Sequence, residues 1–237
     1  MTTDFQFNHR HHPYSVKGQT TSIYLDYIFF QEIHGGRFGQ IYYACHRPTT
    51  TFCIIKKITS KSPKHRQRYI VEPAVLRLID HPNIVKMTGL YLSSHSMYLV
   101  FPYTENTLDL HDYYTQTINL MWTPPNQEII IYNKLIVIRD IIRALIYLHQ
   151  QGIYHLDIKP ENILIEIKSI MIKGYLIDFG LSRLVDQSDP VLSVNSITGP
   201  HGTDFYMPPE IRYKDHPGNM ISEKCDIYSL GRVLLVI

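Results

Sequence analysis

The chain has 237 residues, of which 44% are hydrophobic and 19% charged, and carries a formal net charge of +2 at pH 7. That length supports one large domain or two lobes with a sizeable core, and the near-neutral balance gives no electrostatic footprint for nucleic acid or an anionic membrane. No run of about 18 apolar residues is present to span a bilayer, and the three cysteines lack the Cys-x-x-Cys spacing of a zinc framework, which suits a reducing compartment, the cytoplasm or the nucleus.

Residues 1–22 are polar and rich in His and Thr, and read as a flexible N-terminal tail. Ile23 to Ile33 is apolar, aromatic and β-branched, which predicts a strand. His34-Gly35-Gly36-Arg37-Phe38-Gly39 follows as a turn, and Gln40–His46 and Thr51–Ile58 resume the strand character. Glycines in such a hairpin suit the turn itself, and they also let backbone N–H groups approach a phosphate closely. Lys56 and Lys57 end the third strand; neighbouring strand residues point to opposite faces, so only one of them faces a cleft.

Lys64–Ile79 has helical periodicity, with Val71, Val75, Leu76 and Ile79 on one side. Pro73 directly follows Glu72, so the helix either starts near Glu72 or is kinked there. Ile84–Leu92 and Ser96–Tyr103 read as two further strands, and Leu108–Leu120 as a helix. After Pro124 and Pro125, Gln127–Gln151 is a long helix with Leu135, Ile138, Ile142, Leu145 and His149 on its core face; Gly152 stops it. His155-Leu-Asp-Ile-Lys-Pro-Glu-Asn-Ile-Leu-Ile165 places an Asp, a Lys and an Asn at close spacing before an apolar strand, and Asp178-Phe179-Gly180 follows the next strand. A base, a cation and two oxygen donors for a metal in one neighbourhood suit phosphoryl transfer, where catalysis is mostly positioning and charge neutralisation. Leu181–Asp204 is a long polar segment rich in Ser and Thr, and Ile221–Ile237 begins an apolar helix.

Taken in order, these features resemble the eukaryotic protein kinase domain of the serine/threonine type, from about Tyr27 onward. The resemblance implies an α+β, two-lobed fold. An N-terminal five-stranded antiparallel sheet with one helix would occupy residues 23–103, and a mainly helical C-terminal lobe residues 104–237. It implies ATP and Mg²⁺ as cofactors. Ile33, Gly36, Gly39 and Ile41 match the glycine-rich loop over the nucleotide, with His34 where the family has its first glycine and Phe38 at the loop's tip. Cys53-Ile54-Ile55-Lys56 matches Val-Ala-Ile-Lys, so Lys56 would contact the α- and β-phosphates and pair with Glu72; Ile54 narrows the adenine pocket. Phe101 matches the gatekeeper. Pro102 and Thr104 would meet adenine through the backbone, and Leu164 would line the same pocket. Asp157 would be the catalytic base, Lys159 would neutralise γ-phosphate charge, and Asn162 and Asp178 would hold Mg²⁺. Leu156 replaces the Arg that pairs with an activation-loop phosphate. His155, Phe179 and Tyr206 are expected as packing residues, and Asp226 as an acceptor for the backbone of the catalytic loop.

The same resemblance implies further large-lobe helices beyond Ile237, so this lobe is expected to be incomplete, with Glu210 unpaired and with a partner covering the apolar face of the last helix. The partner class otherwise is a protein substrate, with no nucleic acid and no membrane. A second reading, a kinase-like scaffold or binding protein with weak or no catalysis, rests on His34, Ile54 and Pro73 and on those helices.

Overall fold

The computed structural model describes residues 2–9, 12–19, 22–36, 39–59, 69–117, 124–169, 171–185, 192–193, 205–213 and 220–237, with backbone alone at 2–19, 34–36, 124–127 and 192–193. Expectations for Phe38, for most of the polar segment at 181–204 and for the helix ahead of Tyr69 lie outside these residues. The chain divides into two compact units, residues 1–80 with 86–103 and residues 81–85 with 104–237.

Where a flexible tail was expected, β1 (Thr2–His9) and β2 (His12–Gln19) pair antiparallel, with Phe5 opposite Val16 and Phe7 opposite Tyr14. The reason lies in a period-2 alternation of aromatic and polar residues that the His-rich composition masks. Ile23 to Ile33 is also not one strand. A single helical turn, α1 (Ile23–Asp26), precedes β3 (Tyr27–Gly36), and the Tyr91 hydroxyl donates to Asp26 at 2.7 Å to hold the turn in place.

β4 (Gly39–His46), β5 (Thr51–Thr59), β6 (Gly89–Leu92) and β7 (Ser96–Pro102) complete the antiparallel five-stranded sheet that was expected, in the order β6-β7-β5-β4-β3. β2 meets β6 in parallel at one residue pair, Gln19 and Tyr91. One face of the sheet buries Ala44, Cys53, Ile55, Tyr98 and Val100. A fully buried side chain such as Ile55 contributes about 1.5–3 kcal/mol of burial free energy. α2 (Val71–Leu78) begins one residue before Glu72, so Pro73 falls in the first turn, where its missing N–H is tolerated.

In the second unit, Ile84 and Val85 do not belong to the strand expected over Ile84–Leu92. The Asn83 carbonyl and the Val85 N–H instead pair with Leu176, and the Asn83 side-chain amide donates to the Gly174 carbonyl at 3.0 Å. β8 (Thr107–Asp109) precedes α3 (Leu110–Thr117), and Asp109 Oδ1 caps that helix by accepting from the Asp112 N–H at 2.8 Å. α4 (Pro124–Gln150) buries Ile130, Val137, Ile141, Ala144 and Leu148, whereas Leu135 and Ile142 of the expected core face are exposed. Ile138 and Leu145 of that face are buried as expected; both sides of this helix are apolar, so periodicity alone misplaced only the edge of the stripe.

β9 (Ile153–Tyr154) leads to the loop at 155–159 and a 3₁₀ turn at Pro160–Asn162, followed by β10 (Ile163–Lys168) and β11 (Met171–Leu176), which pair antiparallel; β8 adds to β10. Short strands β12 (Arg183–Leu184) and β13 (Leu192–Ser193), α5 (Pro209–Arg212), β14 (Met220–Ile221) and α6 (Lys224–Leu234) complete the unit. Among the described residues no helix is long and apolar enough to cross a membrane.

Candidate active site

In the first unit, Lys56 on β5 and Glu72 on α2 are both buried, and Lys56 Nζ donates to both carboxylate oxygens of Glu72 at 2.8 Å. Of the two adjacent lysines, Lys56 therefore makes this pair; Lys57 sits on the opposite face of the strand. Gly39 has φ +132°, and a Cβ there would stand 2.5 Å from the Lys57 carbonyl oxygen. The glycine is thus required by backbone crowding within the hairpin, independently of any ligand. Ile33 is exposed and Ile41 half-buried, and Ile54 pairs across the sheet with Phe101, which is buried. Pro102 ends β7 with its ring exposed.

In the second unit, the buried Asp157 carboxylate is the centre of the loop. Asn162 Nδ2 donates to both the Asp157 backbone carbonyl and Oδ2 at 2.8 Å, and Lys159 Nζ approaches Oδ2 at 3.3 Å. Among the described residues Oδ1 accepts no hydrogen bond. The Ile177 N–H donates to the Asn162 carbonyl at 3.0 Å, which fixes the Asn162 backbone one residue from Asp178. Asp178 has φ +61°, and its Oδ1 accepts from the Gly180 N–H at 3.3 Å. A non-glycine residue at positive φ is held there by its surroundings. Thr104 precedes β8 and Leu164 lies on β10, both half-buried.

Two supports hold this loop. His155 is fully buried, edge-on to Phe179 at 4.9 Å between ring centroids. Its Nε2 donates to the Ile177 carbonyl at 3.0 Å, and its Nδ1 accepts the Asp157 N–H at 3.2 Å, a pattern that the Nε2–H tautomer satisfies. His155 is therefore more than packing, because it links Asp157 to the strand end that carries Asp178. The second support is the fully buried Asp226 of α6, which accepts from the His155 N–H at 2.9 Å, from the Leu156 N–H at 2.7 Å and from His149 Nε2 at 2.9 Å. Leu156 has φ +64°, a backbone conformation that a branched residue adopts only when forced. The backbone contacts of Asp226 were expected. The role of His149 was not, because its periodicity marked it only as a core-face residue.

Glu210 was expected to be unpaired; the Cys225 thiol instead donates to its Oε1 at 3.3 Å. Burial pushes that thiol up to about 12, and the neighbouring Glu210 carboxylate adds to the effect. On the same segment, Phe205 and Tyr206 are tied to α6 through Arg232 and Ser229, contacts that no sequence spacing announced.

A protein kinase domain model matches residues 27–237. The chain belongs to the protein kinase domain family. Among its curated relatives, a probable LRR receptor-like serine/threonine-protein kinase, RPK1, of Arabidopsis thaliana is 33% identical over 207 residues, covering 85% of this chain and 34% of the relative. The serine/threonine-protein kinase RUNKEL of the same plant is 34% identical over 88% of this chain and 14% of its own length. A putative serine/threonine-protein kinase, R436, of Acanthamoeba polyphaga mimivirus is 31% identical over 75% of this chain and 59% of the relative. The chain spans about a third or less of the first curated relatives it matches.

The kinase domain implies ATP as substrate together with a divalent cation. The donor set suits magnesium. With Nδ2 of Asn162 donating to Asp157, its Oδ1 would be the neutral hard oxygen turned to such an ion, and Asp178 would add a carboxylate. Among the described residues no three His, Cys, Asp or Glu side chains cluster as a metal cage.

Proposed function

We propose that this chain transfers the γ-phosphate of ATP to serine or threonine hydroxyls of protein substrates. The observation that carries the proposal is the Asp157 carboxylate, buried, with Oδ2 bonded to Asn162 and paired with Lys159, and with Oδ1 free of donors among the described residues. Asp157 orients the substrate hydroxyl and takes its proton as the oxygen bonds to the γ-phosphorus; the bond to the β-phosphate oxygen breaks and ADP leaves. Lys159 offsets charge on the transferred phosphoryl group. Lys56, held by Glu72, steadies the α- and β-phosphates, and the hairpin bearing Ile33, Gly36, Gly39 and Ile41 covers them. Pro102 offers its carbonyl and Thr104 its N–H to adenine, against Leu164. Asn162 and Asp178 hold magnesium, which when bound neutralises charge across the phosphates.

Lys159 two residues after Asp157, followed by Pro160-Glu161-Asn162, supports aliphatic hydroxyls over tyrosine as acceptors. The work belongs in a reducing compartment that contains ATP, the cytosol or nucleus, which suits the free thiols of Cys45, Cys53 and Cys225. The test is transfer of labelled γ-phosphate to a set of serine, threonine and tyrosine peptides. Serine or threonine labelling that falls at least about 100-fold in Asp157→Ala is expected; equal labelling by the two proteins sinks the proposal.

A further inference from the structure

Phe205 is 47% exposed yet fixed from two sides. Arg232 lays its guanidinium over the ring, 4.1 Å from the centroid, and its Nε donates to the Phe205 carbonyl at 3.2 Å. The Tyr206 ring meets Phe205 edge-on at 5.1 Å, and Ser229, one turn before Arg232, donates to the Tyr206 carbonyl at 2.8 Å. The result is a rigid aromatic surface with a cation laid across it, facing solvent. Rigid aromatic and Arg side chains at a surface are the types that anchor protein contacts. Among the described residues the two terminal amino groups of Arg232 have no acceptor, and that planar fork matches a carboxylate or phosphate in two-point geometry.

The platform lies beside the catalytic loop within one unit. Burial raises the Tyr206 phenol; Glu161, four residues after Asp157, adds to the rise, and Arg232 opposes it. Tyr206 therefore stands within electrostatic reach of an anion on its loop side and a cation on its α6 side. Glu161 repels an anionic side chain from the loop side, which leaves the Arg232 side as the place where one is accepted.

Resting on the kinase reading above, we propose that Phe205 and Arg232 form a substrate-selecting platform that favours proteins with an anionic side chain, Asp, Glu or phosphoserine, near the acceptor hydroxyl. The peptide packs on the open part of the Phe205 ring while the anion takes the Arg232 fork. Arg232 is here a specificity residue with no part in the bond-making step.

The test walks Asp, phosphoserine, Ala and Lys one position at a time along a fluorescent peptide whose acceptor is fixed. Binding is followed by anisotropy on an alanine-acceptor version, and phosphorylation on the serine version. At one position an anion is expected to bind about tenfold tighter than Ala, and Lys more weakly than Ala. That ratio should shrink as salt rises from about 0.05 to about 0.5 M, a measurement that needs no variant. Arg232→Gln should bring the ratio to near one, Arg232→Glu should turn it toward Lys, and Phe205→Leu should reduce it. A ratio of one throughout in the wild type, or an unchanged ratio in Arg232→Gln, overturns the proposal. Equal gains from Asp and phosphoserine assign simple charge recognition; a gain from phosphoserine alone assigns a phosphate reader and removes carboxylates from the proposal. Anisotropy requires no phosphoryl transfer, so an anion preference without labelling removes the kinase reading and keeps the platform, and labelling without preference does the reverse.

Discussion

Replacing Asp226 with Asn probes how the catalytic loop is held. In the wild type Oδ2 accepts from the His149 ring and the His155 N–H, and Oδ1 from the Leu156 N–H at 2.7 Å. An asparagine retains one oxygen. Its better orientation keeps the two bonds on the Oδ2 side and turns its NH₂ group against the Leu156 N–H. Hydrogen bonds to a charged group are worth about 1.5–3 kcal/mol and neutral ones about 1, so one bond is lost and two are weakened, a total of about 3–5 kcal/mol. That is a large share of a typical stability of about 5–15 kcal/mol. Leu156, once released, relaxes from φ +64° and so recovers about 1–2 kcal/mol, but it carries Asp157 with it. A displacement of about 1 Å there costs on the order of 100-fold in rate. Chemical denaturation followed by circular dichroism gives the stability loss, and hydrogen exchange of the 153–158 peptide shows whether the loop amides have opened. A loss under about 1 kcal/mol together with unchanged exchange would refute the clamp. Leu156→Gly in the Asp226→Asn background is expected to cost more than in wild type, since glycine's relief of the left-handed penalty counts only while the grip holds residue 156 at positive φ.

Lys56→Met should abolish detectable transfer and destabilise the fold by about 3–5 kcal/mol, because it strands the buried Glu72 charge. Adding Glu72→Gln should restore part of the melting temperature and none of the activity. Gly39→Ala forces a Cβ to within 2.5 Å of the Lys57 carbonyl oxygen at a positive φ, and should lower stability by more than about 2 kcal/mol in a denaturant titration. His81 is held below its ordinary 6.5 by burial, then by Lys173 and Arg143, with Asp140 opposing, and its Nδ1 accepts the Asn83 N–H. The native state therefore binds fewer protons than the unfolded chain through this group. Its contribution is complete above pH 6.5 and is lost as pH falls through the lower native value, so His81→Asn should flatten that part of a melting-temperature profile.

What was legible in the sequence was legible at short range. Asp157, Lys159 and Asn162 lie within six residues, so their spacing already implied one shared neighbourhood, while the particular bonds of Asn162 and Lys159 to Asp157 came from the structure. The Lys56–Glu72 pair was legible through the resemblance of Cys53-Ile54-Ile55-Lys56 to the kinase motif, and the choice against Lys57 became definite only with the structure. The long helix was visible, and so were Ile138 and Leu145 inside it, but the limits of its buried face were not. Ile131, Leu135, Ile142 and Ile146 on the exposed side are as apolar as Val137, Ile141 and Leu148 inside, and a periodic pattern does not rank two such stripes. His149 and Arg232 act through partners 77 and 27 residues away, separations at which only the tertiary fold brings groups together. Ile84 and Val85 looked like strand residues because an apolar run hides where its backbone bonds go; here the Val85 N–H goes to Leu176 of β11.

The Leu156 N–H and the carboxylate that accepts it are 70 residues apart. At a synthesis rate of about 5–20 residues per second, the second follows the first by roughly 4–14 s. Throughout that interval a nascent chain already carries Asp157, Lys159, Asn162 and then Asp178, without the group that bends the backbone at Leu156 into its working shape. The order of the genetic message therefore delays the loop's readiness: its side chains are written early, and the backbone that presents them is bent into shape only when an aspartate 70 residues further on has emerged.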